Sequence, residues 1–218
     1  MSLSQATKTL IQCDFDGTIT EEDTSYILLD TFAQGDWQHL LQEYKEHRIS
    51  VGQFNTQAFA MVKADEPTLL RVIKGKVKMR AGFHELVDYC AKVGFSLVVV
   101  SNGLEFYVKA ILRGIGMENI EAHAAQAQFH PSGMKVRYVG PRGEQLDGGL
   151  KEAYIELFLK QGYKMVYVGN GDSDIIPAQY AHRIFARSEL LTYCRQNDLE
   201  CTPFDSLLDV IGGMSLPG

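Results

Sequence analysis

Apolar residues along the chain fall into two patterns. Short runs without alternation recur at Thr9–Cys13, 95–100, 164–168 and Arg183–Ala186. A continuous apolar run of that length predicts a strand buried on both faces, as in a parallel sheet. Helical spacing separates these runs. Across Phe83–Val93 it places Phe83, Leu86, Val87, Cys90 and Ala91 on one face. Residues 106–112 and 151–159 repeat the spacing. Strands alternating with helices predict an α/β fold built on a doubly wound, Rossmann-type parallel sheet.

Two segments break this rhythm. Residues 21–79 contain no strand pattern and read as helices over 26–32, 37–47, 51–62 and 67–74. They predict a helical cap inserted after the first strand, leaving residues 1–20 and 80–218 as the α/β core domain. The stripe Phe54, Ala58, Met61 and Val62 reads as packed cap interior. The second break is 127–147. There, Gln128-Phe129-His130 and 134–138 flank the turn residues Pro131-Ser132-Gly133, which predicts a small β-hairpin.

Composition narrows the function classes. In 218 residues, 45% are hydrophobic and 22% charged, enough apolar content for a real core. The net charge of −6 argues against a nucleic-acid partner, which demands a basic face. It leaves room for a small phosphorylated metabolite in a locally positive site. No apolar run approaches the ~18 residues of a membrane helix, and the N-terminus carries no signal-peptide core. The cysteines Cys13, Cys90, Cys194 and Cys201 show neither a C-x-x-C pair nor zinc spacing. These features together predict a cytoplasmic protein; they do not decide its oligomeric state.

Candidate chemistry sits where open α/β sheets keep their ligands, at strand ends and helix starts. Asp14-Phe15-Asp16-Gly17-Thr18 follows the first strand. A turn at Asp16-Gly17 can bring both carboxylates to one cleft, where a hard cation such as magnesium would hold them together. An acidic solvated turn would look the same. Ser101-Asn102-Gly103 follows the 95–100 run and offers a hydroxyl and backbone amides to an anion, or else a helix cap. Lys151 opens a helix behind Gly148-Gly149-Leu150, placed to neutralise a phosphate or simply solvated. Gly169-Asn170-Gly171-Asp172-Ser173-Asp174 follows the 164–168 run, as a ligand loop or a cap for the next helix.

The order of these four motifs, each behind its own element, resembles the haloacid dehalogenase superfamily of phosphohydrolases across almost the whole chain. The resemblance implies that Asp14 is a covalent nucleophile and Asp16 the general acid and base. It implies that Ser101, with Asn102 and Gly103, and Lys151 bind the phosphoryl group. It implies Mg²⁺ as cofactor, held by the Asp14 side chain, the Asp16 carbonyl and the fourth motif. That motif usually begins Gly-Asp, and here Asn170 takes the aspartate position. Asn170 is therefore expected to touch the metal directly, and Asp174 to bind it through water or orient its ligands, with Asp172 the next candidate for a direct ligand.

The cap insertion is similar to that of the phosphoserine phosphatase-like branch. That branch places a glutamate at the cap entrance and an arginine in the cap to grip its amino-acid substrate. The matching entrance residue here is Asp23, and the arginines available to the cap are Arg48, Arg71 and Arg80. None falls at a matching position, so phosphoserine is not the expected substrate. The chain looks more like the 2-hydroxy-3-keto-5-methylthiopentenyl-1-phosphate phosphatases of methionine salvage. The similar features are Cys13 to Thr20, Thr31-Phe32-Ala33 with Trp37, Gly82-Phe83 with Glu85, and Phe185-Ala186-Arg187 with Leu190-Leu191 and Cys194. Phe32, Trp37, Phe54 and Phe59 are expected in the cap interior, with an apolar specificity pocket as the alternative. A phosphotransferase would share every motif. A phosphometabolite-binding protein that has lost catalysis has Asn170 as its only support.

Overall fold

The computed structural model describes residues 8–215. Its centre is an eight-stranded sheet. The first strand, β1 (Thr9–Cys13), is buried beyond its first residue. The chain then runs through α1 (Thr24–Phe32), α2 (Trp37–Lys45), α3 (Val51–Ala60) and α4 (Glu66–Lys76) without a strand. Local chemistry starts each helix. Asp23, Asp36 and Asp65 cap three of them through side-chain oxygens, and Ser50 with Gln53 forms a capping box for α3. Next come α5 (Phe83–Val93), β2 (Ser96–Leu104), α6 (Glu105–Gly114), β3 (Glu121–Gln128), β4 (Lys135–Val139) and β5 (Gln145–Leu146). The remainder is α7 (Leu150–Lys160), β6 (Lys164–Gly169), a 3₁₀ turn at Asp172–Asp174, α8 (Ile175–Ala178), β7 (Arg183–Ala186), α9 (Ser188–Gln196), β8 (Thr202–Pro203) and α10 (Leu207–Met214).

The strand order is β5-β4-β3-β2-β1-β6-β7-β8. β1 lies at the middle with parallel neighbours on both sides, pairing Ile11 with Leu97 and Val166. The order turns at β1, because the chain adds β2 and β3 on one side and β6 to β8 on the other. That reversal opens a crevice at the C-terminal strand ends, where Asp14 stands.

Two details differ from the sequence expectation. The N-terminal arm of the expected hairpin begins at Glu121, not 127, because β3 is a full parallel partner of β2 before it turns antiparallel against β4. Its sequence, Glu-Ala-His-Ala-Ala-Gln-Ala-Gln, has no β-branched residue. It is a strand because β2 supplies its hydrogen bonds. β2 itself continues past Val100 to Leu104, with a register irregularity between those residues. Ser101, Asn102 and Gly103 therefore lie in the strand and not in a loop beyond it.

The two ends of the 21–79 segment meet. Thr20 bridges Met79, Glu21 N donates to Lys78 O at 2.9 Å, and Arg80 N donates to Ile19 O at 2.8 Å. Arg80 locks this neck. Its buried guanidinium donates to the carbonyls of Thr18, Gly17, Thr20 and Asp205 at 2.7–3.2 Å. It is thus committed to backbone and offers nothing to a substrate. At the far side, Asn55 of α3 reaches Asn102 O and the hydroxyl of Tyr138 in β4, tying the helices to the strand ends.

Candidate active site

Asp14 is the first residue beyond β1, and its amide still bonds to Val168 O at 2.9 Å in the ladder to β6. The side chain is nearly enclosed, 5% exposed. Lys151, from the first turn of α7, places Nζ 2.8 Å from Asp14 Oδ1 and 2.6 Å from Asp174 Oδ1. Its third partner is Ser173 Oγ at 3.1 Å. Gln12 Nε2 holds the Lys151 carbonyl from below. Burial alone would lower the lysine pKa, but the two carboxylates outweigh it and raise it, so the ammonium is fully charged. Burial and the nearby Asp174 push Asp14 up to about 7 against the opposing pull of Lys151.

Asp174 is fully buried and saturated. Oδ1 accepts from Lys151 and from the Tyr167 hydroxyl at 2.6 Å, and Oδ2 accepts from the amides of Asn170 and Gly171 at 2.9 Å each. It does not line the cavity. Of the two roles expected for it, the geometry suits orientation: it holds Lys151 and shapes the loop that carries Asn170. Asp172 does reach the cavity wall.

Asp16 follows on the other side of Phe15. Its Oδ1 accepts from Thr24 N, the first amide of α1, at 3.0 Å. Its Oδ2 accepts from the Tyr107 hydroxyl at 2.5 Å, and that hydroxyl also bonds Ser25 Oγ at 2.8 Å. Burial raises the Asp16 pKa while these donors oppose the shift. Gly103 lies beneath the pair, and a Cβ there would collide with both the Tyr107 hydroxyl and Asp16 Oδ2. Sequence reasoning missed Tyr107 and Ser25 because neither belongs to a motif. The only local cue was the Gly103 that leaves room for them.

Asn170 bears on the fit of a hard cation. One terminus of its amide lies 2.8 Å from Thr18 Oγ1, 3.1 Å from Asp14 Oδ2 and 3.0 Å from the Asp16 carbonyl. As nitrogen, it donates to all three. As oxygen, it faces two acceptors at separations that only a cation reconciles. Octahedral magnesium holds oxygens at about 2.1 Å, which spaces adjacent ligands by roughly 3.0 Å. The donor set therefore fits magnesium, with the amide turned oxygen-inward. Gly17 (φ +75°) makes this approach possible, since a Cβ there would lie 2.5 Å from the amide.

Ser101 is 1% exposed and accepts from Gly103 N at 2.9 Å. Asn102 has its carbonyl held by Asn55 and Tyr138, and its buried Oδ1 has no partner. Ser101, Asn102, Gly103, Lys151, Asp14, Asp16 and Asn170 all line one cavity of about 280 Å³. Asp23 lines it too, while accepting from Tyr26 N as the cap of α1. Burial and Asp16 raise its pKa well above the usual carboxylate value. Of the expected cap aromatics only Phe54 reaches the cavity, with Tyr26 and Tyr44 beside it. Trp37 and Phe59 are buried elsewhere in the core. Arg48 pairs with Glu43 and Glu46 on the surface, and neither it nor Arg71 lines the cavity.

Comparison with known proteins agrees with this geometry. A model of haloacid dehalogenase-like hydrolases matches residues 11–176. A 2-hydroxy-3-keto-5-methylthiopentenyl-1-phosphate phosphatase of Geobacillus kaustophilus (strain HTA426) is 31% identical, covering 93% of each chain. One of the same description from Bacillus pumilus (strain SAFR-032) is 27% identical over 93% of this chain and 89% of its own. Among solved structures, a phospho-aspartyl intermediate analogue of phosphoserine phosphatase superposes with a TM-score of 0.71 at 19% identity, covering 95% of this chain and 99% of that one. The last likeness speaks to the fold alone.

The triad around Lys151 generates a stability prediction. Asp174→Ala leaves a buried ammonium short of one carboxylate and strands Tyr167 and two amides. It should lower unfolding free energy by about 3–5 kcal/mol, read from urea denaturation. Asp14→Asn, which keeps an acceptor for Lys151 at the cavity edge, should cost clearly less. Equal losses would count against the assignment of Asp174 as the anchor. Taken together, the matched family model and the full-length relatives establish that the chain belongs to the haloacid dehalogenase-like hydrolases and is a phosphatase of that family.

Proposed function

We propose that the protein is a magnesium-dependent phosphomonoester hydrolase that forms an aspartyl-phosphate on Asp14. The single observation behind this reading is the convergence of Asp14, Asp16, Ser101, Lys151 and Asn170 on one small cavity. Asp14 Oδ1, oriented by Lys151, attacks phosphorus as the bond to the leaving oxygen breaks. Asp16 gives its proton to that oxygen, then takes one from the water that cleaves the acyl phosphate. Lys151, the Ser101 hydroxyl and the amides around Asn102 and Gly103 bind the equatorial oxygens. Magnesium, held by Asp14 Oδ2, the Asp16 carbonyl and Asn170, would supply further charge neutralisation there. Asp174 acts on this set by orientation.

The substrate is a small metabolite. A cavity of about 280 Å³ beside the 21–79 cap suits a small ester. The relatives' name points to 2-hydroxy-3-keto-5-methylthiopentenyl-1-phosphate and so to methionine salvage. The aromatic wall of Tyr26, Tyr44 and Phe54 suits a thioether tail. Asp23 stands at the same wall as a specificity residue. The core domain comprises 1–20 and 80–218, of which 1–7 and 216–218 lie outside the described residues. No helix among the described residues is long and apolar enough to cross a membrane, and with four free cysteines a cytoplasmic setting fits.

A phosphomonoester panel with magnesium tests this reading. The methylthiopentenyl ester should be turned over with the highest kcat/KM, ahead of phosphoserine, and Asp14→Asn should abolish turnover of all esters. A phosphoserine preference would overturn the substrate assignment. Tyr107→Phe should lower kcat for alkyl phosphates by about 10–100-fold with little change in KM, because Asp16 loses the donor that aims it. It should barely affect p-nitrophenyl phosphate, whose leaving group needs no proton. Asn170→Asp adds a charge to the metal set and should tighten magnesium binding roughly tenfold. A calorimetric titration showing no change would remove Asn170 from that set.

A further inference from the structure

Arg187 lies directly after β7 and caps α9, with its amide bonded to Gly169 O at 3.2 Å. It shares the cavity wall with Asp14, Lys151 and Asn170. Its guanidinium is anomalous. Nε and Nη1 are buried without a hydrogen-bond partner among the described residues. No carboxylate among the described residues forms an ion pair with it, although Glu21 and Glu189 line the same cavity. Its guanidinium has a cation–π contact: Cζ sits 5.9 Å from the centre of the Phe204 ring. The neighbouring Arg80 repels it and has spent its own donors on carbonyls. The residue that follows, Ser188, is held at φ +47°, a left-handed conformation unusual for serine.

Arg187 is partly buried, and two guanidinium nitrogens cut off from solvent without a partner are unfavourable, while the third is left to face the cavity. A chain that keeps such a cation on the wall of a substrate cavity has a use for it when a ligand arrives. The phosphoryl group already has Lys151, Ser101 and the strand-end amides. The guanidinium fork suits a planar pair of oxygens. We propose that Arg187 forms a second binding subsite in the cavity, receiving adjacent hydroxyl and carbonyl oxygens on the leaving group of the phosphomonoester. The inference rests on the phosphatase reading and extends it, because it names the leaving-group chemistry that the cavity selects. The cation comes from a core strand end and not from the cap.

Two esters of equal carbon count test the subsite. Dihydroxyacetone phosphate carries a keto and a hydroxyl oxygen, and n-propyl phosphate carries neither. Each competes against p-nitrophenyl phosphate hydrolysis with magnesium present. The wild type should bind the keto ester more tightly. Arg187→Met should reduce the ratio of the two inhibition constants by about 10–100-fold, and Arg187→Lys should recover part of it. Equal inhibition by both esters in the wild type, or an unchanged ratio in Arg187→Met, overturns the proposal. Thermal unfolding separates a structural role. Removing a partly buried cation that has no ion-pair partner should leave Tm unchanged or raise it, whereas a fall of several degrees with parallel loss for both esters sinks the subsite. Failure of the wild type to turn over p-nitrophenyl phosphate at all would remove the phosphatase reading and this inference with it. Turnover with an unchanged ratio removes the inference alone.

Discussion

Lys151 is held between Asp14 and Asp174 at 2.8 and 2.6 Å, and all three side chains are buried. Taking such charges out of water is costly, and attraction returns the cost only when every remaining donor and acceptor is satisfied. Here Asp174 meets that condition. Four donors from Lys151, Tyr167, Asn170 and Gly171 occupy its oxygens. Asp14 does not, since Oδ2 faces the Asn170 amide and the cavity. The triad is thus asymmetric: one carboxylate is closed and structural, and the other is held in position with an oxygen left available.

Much of the rest serves that asymmetry. β1 delivers Asp14 because parallel neighbours on both sides fix its register. β6 delivers the loop that follows Gly169, and the Asp174 carboxylate folds that loop by accepting the amides of Asn170 and Gly171. The loop then brings Asn170 to the oxygens of Asp14 and Asp16. An amide is an apt group at this place, because it has two faces. Nitrogen inward, it satisfies the oxygens without a metal; oxygen inward, it matches the spacing of a magnesium shell.

The helical segment takes part in the site as well as covering it. The first amide of α1 binds Asp16 Oδ1, and Ser25 one residue later holds Tyr107 against Oδ2. Asn55 of α3 braces the carbonyl of Asn102. Both the Asp16 carboxylate and the C-terminal end of β2 are therefore held from the side of the 21–79 helices. The position of these helices and the orientation of the Asp16 carboxylate are mechanically linked.

The amino-acid pattern alone made the alternating core legible, because buried parallel strands need unbroken apolar runs and the helices between them need a stripe. It also singled out Asp14, Asp16, Ser101, Lys151 and Asn170, which the fold brings to one cavity, since each lies close to a glycine near the end of a strand or the start of a helix. It misplaced the start of β3, whose alanines and glutamines carry no strand preference and which exists only by pairing with β2. It left Asp174 between two roles, because a carboxylate's spare lone pairs cannot be counted until its neighbours are known. The partners of Tyr107, Ser25, Arg80 and Arg187 were beyond reach for a related reason. Tyr107 meets Asp16 across 91 positions, and Arg80 meets Thr18 across 62. Hydrogen bonds of that separation have no local signature. What the sequence determined by itself was the set of reactive groups and the strand ends that bear them. Only the tertiary structure decided which of those groups are saturated and which face the cavity, because that depends on partners brought together by packing.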